Sequence, residues 1–296
     1  MTTERPPTID PQAASRWQRL PSPQSPWLHE EVARRMLERL DWIKLQPQSW
    51  VNWEPLRGGQ AAQAALMLRY PESQCAWVQV VNGQLETTLK TSQKPWWHLA
   101  RWRAEPRGAN PIKAGAQMVW ANMALHMAAD PQAMMQQWKQ LLASDGFLMF
   151  SCLGPDTLRE LRGLYQALGW PAPAHEFTDM HDWGDMLVQA GFAEPIMDME
   201  RIELTFETPQ RLLQELRELG RNLHPGRFPG LRGRAWRDQL HQALTEKLAD
   251  PQQDGRLKLT FEIIYGHAFK PLPRIDVTAQ TVVSLDEMRQ ALRASR

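Results

Sequence analysis

Between residues 49 and 152 short apolar stretches of strand character alternate with helical ones, and this alternation restricts the fold more than any other feature. Residues 49–53 read as a strand and 60–69 as a helix after Gly58-Gly59. Residues 74–81 (QCAWVQVV) read as a strand closed by the turn signal Asn82-Gly83. Residues 116–121 form a further strand, 131–142 a helix buried through Met134, Met135, Trp138, Leu141 and Leu142, and 147–152 another strand. Strands joined through helices pair in parallel, so an α/β fold is expected, a sheet flanked by helices. Pro95, Pro106 and Pro111 leave 84–113 without a clear element.

Upstream, the Pro-, Gln- and Ser-rich residues 1–27 read as a flexible arm with a short helix around 11–20. Leu28, Val32, Met36, Leu37 and Leu40 recur at helical spacing. Downstream, helices are expected at 155–168 with Pro155 in the first turn, at about 179–190 stopped by Gly191, and at 209–219 and 236–248. Residues 196–206 and 257–269 read as strands, and a short helix lies near 285–292. The expected division is an arm (1–27), one domain (28–270) with an insertion at about 207–250, and a tail (271–296).

Several function classes are excluded on composition. The 34 Lys+Arg and 33 Asp+Glu leave a net charge of +1, which gives no basic field for nucleic acid. The uncharged run 114–129 is too short for a bilayer and carries Gln117, Asn122 and His126, so no membrane span is expected. The first residues lack the apolar core of a secretory signal. Cys75 and Cys152 stand far apart, which suits a reducing, cytoplasmic setting and gives neither a disulfide framework nor a cysteine zinc site. Residues 175–185 (HEFTDMHDWGD) are rich in metal-ligand types, yet Thr178 or Asp179 reads as a helix cap with acids in the first turn, so no metal is expected. No G-x-S-x-G is present, which argues against a hydrolase, and a monomer is expected.

Specific motifs follow residue 115: WANMALH at 120–126, FLMFS at 147–151, GPDTLRELR at 154–162, DMHDWGD at 179–185, QAGF at 189–192, MDME at 197–200 and YGHA at 265–268. Together they resemble the malonyl-[acyl-carrier protein] O-methyltransferases of biotin synthesis, a branch of the class I methyltransferases, over roughly 28–270. The resemblance implies a Rossmann-like, mostly parallel seven-stranded sheet with helices on both faces and a small helical or loop insertion. It also implies S-adenosylmethionine bound across the carboxyl ends of the strands, an acidic acyl carrier protein as partner, and methyl transfer to the malonyl carboxylate. That carboxylate is ionised at neutral pH, so the chemistry asks for alignment and exclusion of water rather than a general base. Beyond the strand end, Asn122 is a candidate for cofactor or acceptor and His126 for the substrate, with capping and packing as the alternative. Arg217, Arg221, Arg227, Arg232, Arg234 and Arg237 with His224 form a basic segment suited to an acidic carrier, and Arg232 and Arg234 are its substrate-binding candidates.

The cofactor half departs from the family pattern. A strand ending in acidic-x-Gly-x-Gly-x-Gly is expected, and WVNWEPLRGG stands at 50–59. One alignment puts Asn52 at the acidic place, Glu54 and Leu56 at the first two glycines and Gly58 at the third. Shifting by one puts Trp53, Pro55 and Arg57 there, with Gly59 last. Two glycines are lost either way, and with them backbone room for a ligand. Glu54 would repel the cofactor carboxylate, and Arg57 could pair with it. Asn82 ends the second strand where an acid would grip both ribose hydroxyls. Glu105 or Asn110 remains for the adenine. The cofactor-binding candidates are therefore Asn52, Gly58, Gly59, Asn82 and Asn122. Eleven of the 14 tryptophans precede residue 140, as ordinary core or as indoles filling the cofactor cleft. The alternative function is a catalytically inactive methyltransferase-fold protein serving as a binding or assembly factor.

Overall fold

The computed structural model describes residues 9–20, 22, 24–81, 84–90 and 115–272. The first element is α1 (Pro11–Gln18), whose N-cap Asp10 accepts the N–H groups of Gln12 and Ala13. Then α2 (Trp27–Arg39) buries Leu28, His29, Val32, Ala33 and Met36 along one stripe. β1 (Ser49–Trp53) runs into the one-turn α3 (Pro55–Gly58) and α4 (Gln60–Arg69). β2 (Gln74–Val81), β3 (Gln84–Lys90) and β4 (Ala116–Ala121) follow. After them come α5 (Pro131–Leu141), β5 (Leu142–Leu153), α6 (Arg159–Ala167), α7 (Met180–Gln189) and β6 (Ala193–Phe206). The described chain closes with α8 (Pro209–Leu219), α9 (Arg234–Leu248), β7 (Ala249–Asp250) and β8 (Arg256–Phe269).

The strands form one sheet in the order β3-β2-β1-β4-β5-β8-β6, with the two-residue β7 against β8. β2, β1, β4 and β5 pair in parallel, as the alternation of elements requires, while β8 is antiparallel to β5 and β6. Successive residues of the central strands face opposite cores. Trp50, Met118, Trp120, Phe147 and Met149 pack beneath α2, α4, α6 and α9; Val51, Trp53, Val119, Leu148 and Phe150 pack beneath α5 and α7. Both faces are thus covered, which explains why these strands read as continuous apolar runs. Gly266 is needed where Phe150 crosses β8: an added Cβ would lie 2.1 Å from the Phe150 ring.

Two local differences from the sequence reading have physical causes. β3 pairs antiparallel with β2, Val81 opposite Gln84, so only two residues connect them. Asn-Gly is a favoured two-residue hairpin sequence, and the hairpin removes the crossover a parallel strand would need. The helix expected from Pro155 starts at Arg159 instead, because residues 154–158 are strapped to β8. Leu158 takes a left-handed conformation (φ 58°), its N–H donates to the Thr260 carbonyl at 2.7 Å, and Thr157 Oγ1 donates to the Glu262 carbonyl at 3.2 Å. Among the described residues no helix is long and apolar enough to cross a membrane. The expected helix near 285–292 lies outside the described residues.

Candidate functional site

Two cavities meet at the carboxyl ends of β1 and β4, and Met127 and Leu219 line both. The smaller, of about 60 Å³, lies over the end of β1, where the resemblance puts the cofactor. Its wall includes Trp17, His29, Glu54, Arg57, Val80 and Asn122.

Glu54 leaves β1 in a left-handed conformation (φ 51°), and Pro55 suits the first turn of α3. The Glu54 N–H donates to the Val78 carbonyl (2.8 Å), and its carboxylate accepts the Val80 N–H at 2.6 Å. Burial pushes the Glu54 carboxyl up, opposed by the Val80 N–H and the Arg57 charge. The carboxylate therefore stands at the end of β2. Arg57 instead turns to α1: its guanidinium lies 4.3 Å from the Trp17 ring centroid and donates to the carbonyls of Trp17 (3.1 Å), Gln18 (3.2 Å) and Leu20 (2.5 Å). Thus α1, read from sequence as part of a flexible arm, packs over the cavity.

The candidate cofactor residues divide. Asn122 is buried and donates to the carbonyls of His29 (2.8 Å) and Gly58, while its Oδ1 accepts the Ser151 hydroxyl at 2.6 Å. The Ser151 oxygen in turn accepts the Met123 N–H at 3.1 Å. Gly58 packs on this network, since an added Cβ would lie 3.0 Å from the Asn122 carbonyl oxygen. Gly59 has φ +124° and approaches Ala33, so its freedom serves the contact with α2. Asn52 faces α4 and donates to Gln63 Oε1 at 2.6 Å. Asn82, Glu105 and Asn110 lie outside the described residues. Glu30 accepts the Gln60 and Ala61 N–H groups at the start of α4, filling a helix N-terminus suited to an anion.

His29 is a residue that sequence reasoning missed, although a lone polar residue on the buried stripe of α2 was a signal for it. Its Nδ1 donates to the Arg57 carbonyl at 2.8 Å, which leaves Nε2 unprotonated, buried and without a partner. Burial pushes its pKa down to about 4, against the opposing hydrogen bond, so the ring is neutral at pH 7. The Glu54 carboxylate and His29 Nε2 thus give the cavity two acceptors, a set suited to a ligand that carries hydroxyl and ammonium donors. S-adenosylmethionine is such a ligand, and the wall chemistry fits it. The room is set by α1: the free volume is below the roughly 300 Å³ of small ligand sites, with Trp17 and Gln18 in the wall. Among the described residues, no tryptophan besides Trp17 and Trp53 lines the cavity. Trp50, Trp120 and Trp138 belong to the two cores, and Trp53, which touches the cavity, packs edge-on against Trp138 at 6.0 Å.

The larger cavity, of about 250 Å³, is mainly apolar, with Leu153, Leu158, Leu161, Phe177 and Phe261 in its wall. His126 lies just past β4 and lines it. The Leu153 N–H reaches His126 Nδ1 at 3.3 Å, so the ring hydrogen sits on Nε2. Burial, with His175 and His29 nearby, holds its pKa well below the usual histidine range. His175 donates from Nε2 to the His126 carbonyl at 2.8 Å and fixes that turn. Arg217, Arg221 and Asn222 of the basic segment also line this cavity. Arg232 and Arg234 are not in its wall: Arg232 stacks on Phe228 (4.1 Å) and Trp236 (4.2 Å), and Arg234 starts α9, exposed. Asp179 caps α7 by accepting the His181 N–H, and no group of three His, Cys, Asp or Glu able to hold a metal occurs among the described residues.

No protein-family model matches the chain. It is 39% identical over 269 residues to the malonyl-[acyl-carrier protein] O-methyltransferase of Gallionella capsiferriformans, covering 86% of this chain and 88% of that protein. The protein of that name from Laribacter hongkongensis is 37% identical over 257 residues, covering 83% and 84% of the two chains. The one from Methylovorus is 37% identical over 254 residues, covering 84% of each.

Proposed function

The chain belongs to the malonyl-[acyl-carrier protein] O-methyltransferase family, and from that premise we propose that it esterifies the free carboxylate of a malonyl thioester held on an acyl carrier protein, with S-adenosylmethionine as methyl donor. The donor supplies an electrophilic methyl group on a sulfonium. The observation that carries the reading is the adjacency of the two cavities: an apolar, partly cationic one and a small acceptor-lined one share Met127 and Leu219.

Each residue has a limited task. The malonyl carboxylate is already ionised, so no side chain has to remove a proton. Arg217 and Arg221 at the cavity attract that anion, and His126, neutral with its hydrogen on Nε2, offers one donor to a substrate oxygen. The apolar wall excludes water, which would otherwise solvate the carboxylate. Asn122 and Gly58 set the height of the cofactor loop, and His29 Nε2 accepts from a donor group of the ligand. The basic segment from Arg217 to Arg237, with Arg232 and Arg234, meets the acidic carrier.

Calorimetric titration with S-adenosylmethionine tests the reading: saturable heat is expected, and no heat at millimolar ligand removes it. One observation, the small volume beneath α1, favours a second reading, a binding protein without transfer. That reading predicts carrier binding with no heat from the cofactor.

A further inference from the structure

We infer that Glu54 supplies, from the end of β1, the carboxylate that holds the ribose of the methyl donor. In doubly wound sheets a carboxylate at the carboxyl end of the second strand hydrogen-bonds the ribose of a bound nucleotide. Here β2 ends in Gln79-Val80-Val81 and brings no acid of its own. The structure nevertheless has a carboxylate there: Glu54 reaches across from the neighbouring strand, and one of its oxygens accepts the Val80 N–H at 2.6 Å.

Three features make this a built arrangement. The left-handed backbone of Glu54 (φ 51°) is one that a residue with a Cβ rarely adopts, and it points the residue toward β2. The N–H of Glu54 bonds the Val78 carbonyl, so backbone and side chain are both pinned to the same strand end. The carboxylate lies in the cavity wall together with the unpartnered His29 Nε2. One oxygen is committed to Val80, which leaves the other as an acceptor for hydroxyl groups.

This inference rests on the methyltransferase reading, and its test separates the two. S-adenosylhomocysteine and its 2′,3′-dideoxy analogue are titrated into the full chain and into Glu54→Gln, which keeps an oxygen for the Val80 N–H. The native chain is expected to prefer the ribose-bearing compound by roughly tenfold, the worth of a hydrogen bond to a charged group, and Glu54→Gln to lose most of that preference. A merely structural Glu54 would shift both ligands together and leave the preference intact, and that result overturns the inference. Equal binding of the two compounds by the native chain also overturns it while leaving the methyltransferase reading in place. Failure of the native chain to bind either compound overturns both.

Discussion

The Arg57 guanidinium lies over the Trp17 indole, 4.3 Å from its centroid, and so ties α1 to the loop after β1. The other end of α1 is anchored on the segment after α8. Asp10 pairs with Arg227 at 2.6 Å, its N–H donates to the Leu223 carbonyl at 2.8 Å, and Ile9, Ala14 and Leu223 form a small cluster. One short helix therefore bridges the elements that border the two cavities. Asp10→Asn keeps an N-cap but removes the ion pair, which should loosen this roof. Binding of S-adenosylhomocysteine is expected to tighten by about threefold, with faster amide exchange in α1, because less of the population is closed. Unchanged affinity and exchange would show that α1 does not limit the room.

Asn122 bonds three elements at once, through the His29 and Gly58 carbonyls and the Ser151 hydroxyl. Asn122→Ala leaves those buried groups without partners, and each such group costs about 1–3 kcal/mol. A loss of about 2–4 kcal/mol in the free energy of unfolding is expected by urea denaturation. A loss below about 0.5 kcal/mol would mean that the network contributes nothing to holding the loop.

Histidine burial gives the protein an acid-sensitive side. His29 is neutral in the folded chain down to about pH 4, whereas in the unfolded chain it takes up a proton near 6.5. Stability from this residue is therefore complete above about pH 6.5 and is lost as pH falls toward 4, at about 1.4 kcal/mol per pH unit. His126 and His175, also held down by burial, act in the same direction. His29→Gln should flatten the acid limb of a stability–pH curve by about one proton's slope. An unaltered limb would contradict the burial of a neutral ring.

Carrier recognition is expected to depend on Arg217 and Arg221 more than on Arg234, because of these three only the first two line the larger cavity. Charge reversal at both should weaken binding of malonyl carrier protein at least tenfold, and Arg234→Glu about threefold with reduced salt sensitivity. Arg232→Glu is a poorer probe, since it also removes the stack on Phe228 and Trp236. Equal effects from all positions would favour a diffuse electrostatic surface.

The sheet was legible because its central strands are apolar on both faces: the periods at 49–53, 74–81 and 116–121 have the bounds found in the structure. The edge was legible only in part: Asn82-Gly83 marked the turn, but the mostly polar Gln84–Lys90 shows no buried apolar run of its own. In the site, the positions of Asn122 and His126 followed from the expected end of β4 at Ala121. The place of Glu54 did not, because sequence spacing puts it in the β1 loop and only the left-handed turn carries its carboxylate to β2. The orphaned nitrogen of His29 was equally hidden, as its tautomer depends on a carbonyl 28 residues away.

The central claim is methyl transfer to a carrier-bound malonyl group, and intact-mass analysis of malonyl acyl carrier protein incubated with the purified chain and S-adenosylmethionine tests it most directly. A mass gain equal to one methylene, reversed by mild alkali as a methyl ester requires, is the predicted result. Malonyl carrier protein that binds the chain yet keeps its mass through prolonged incubation would contradict it.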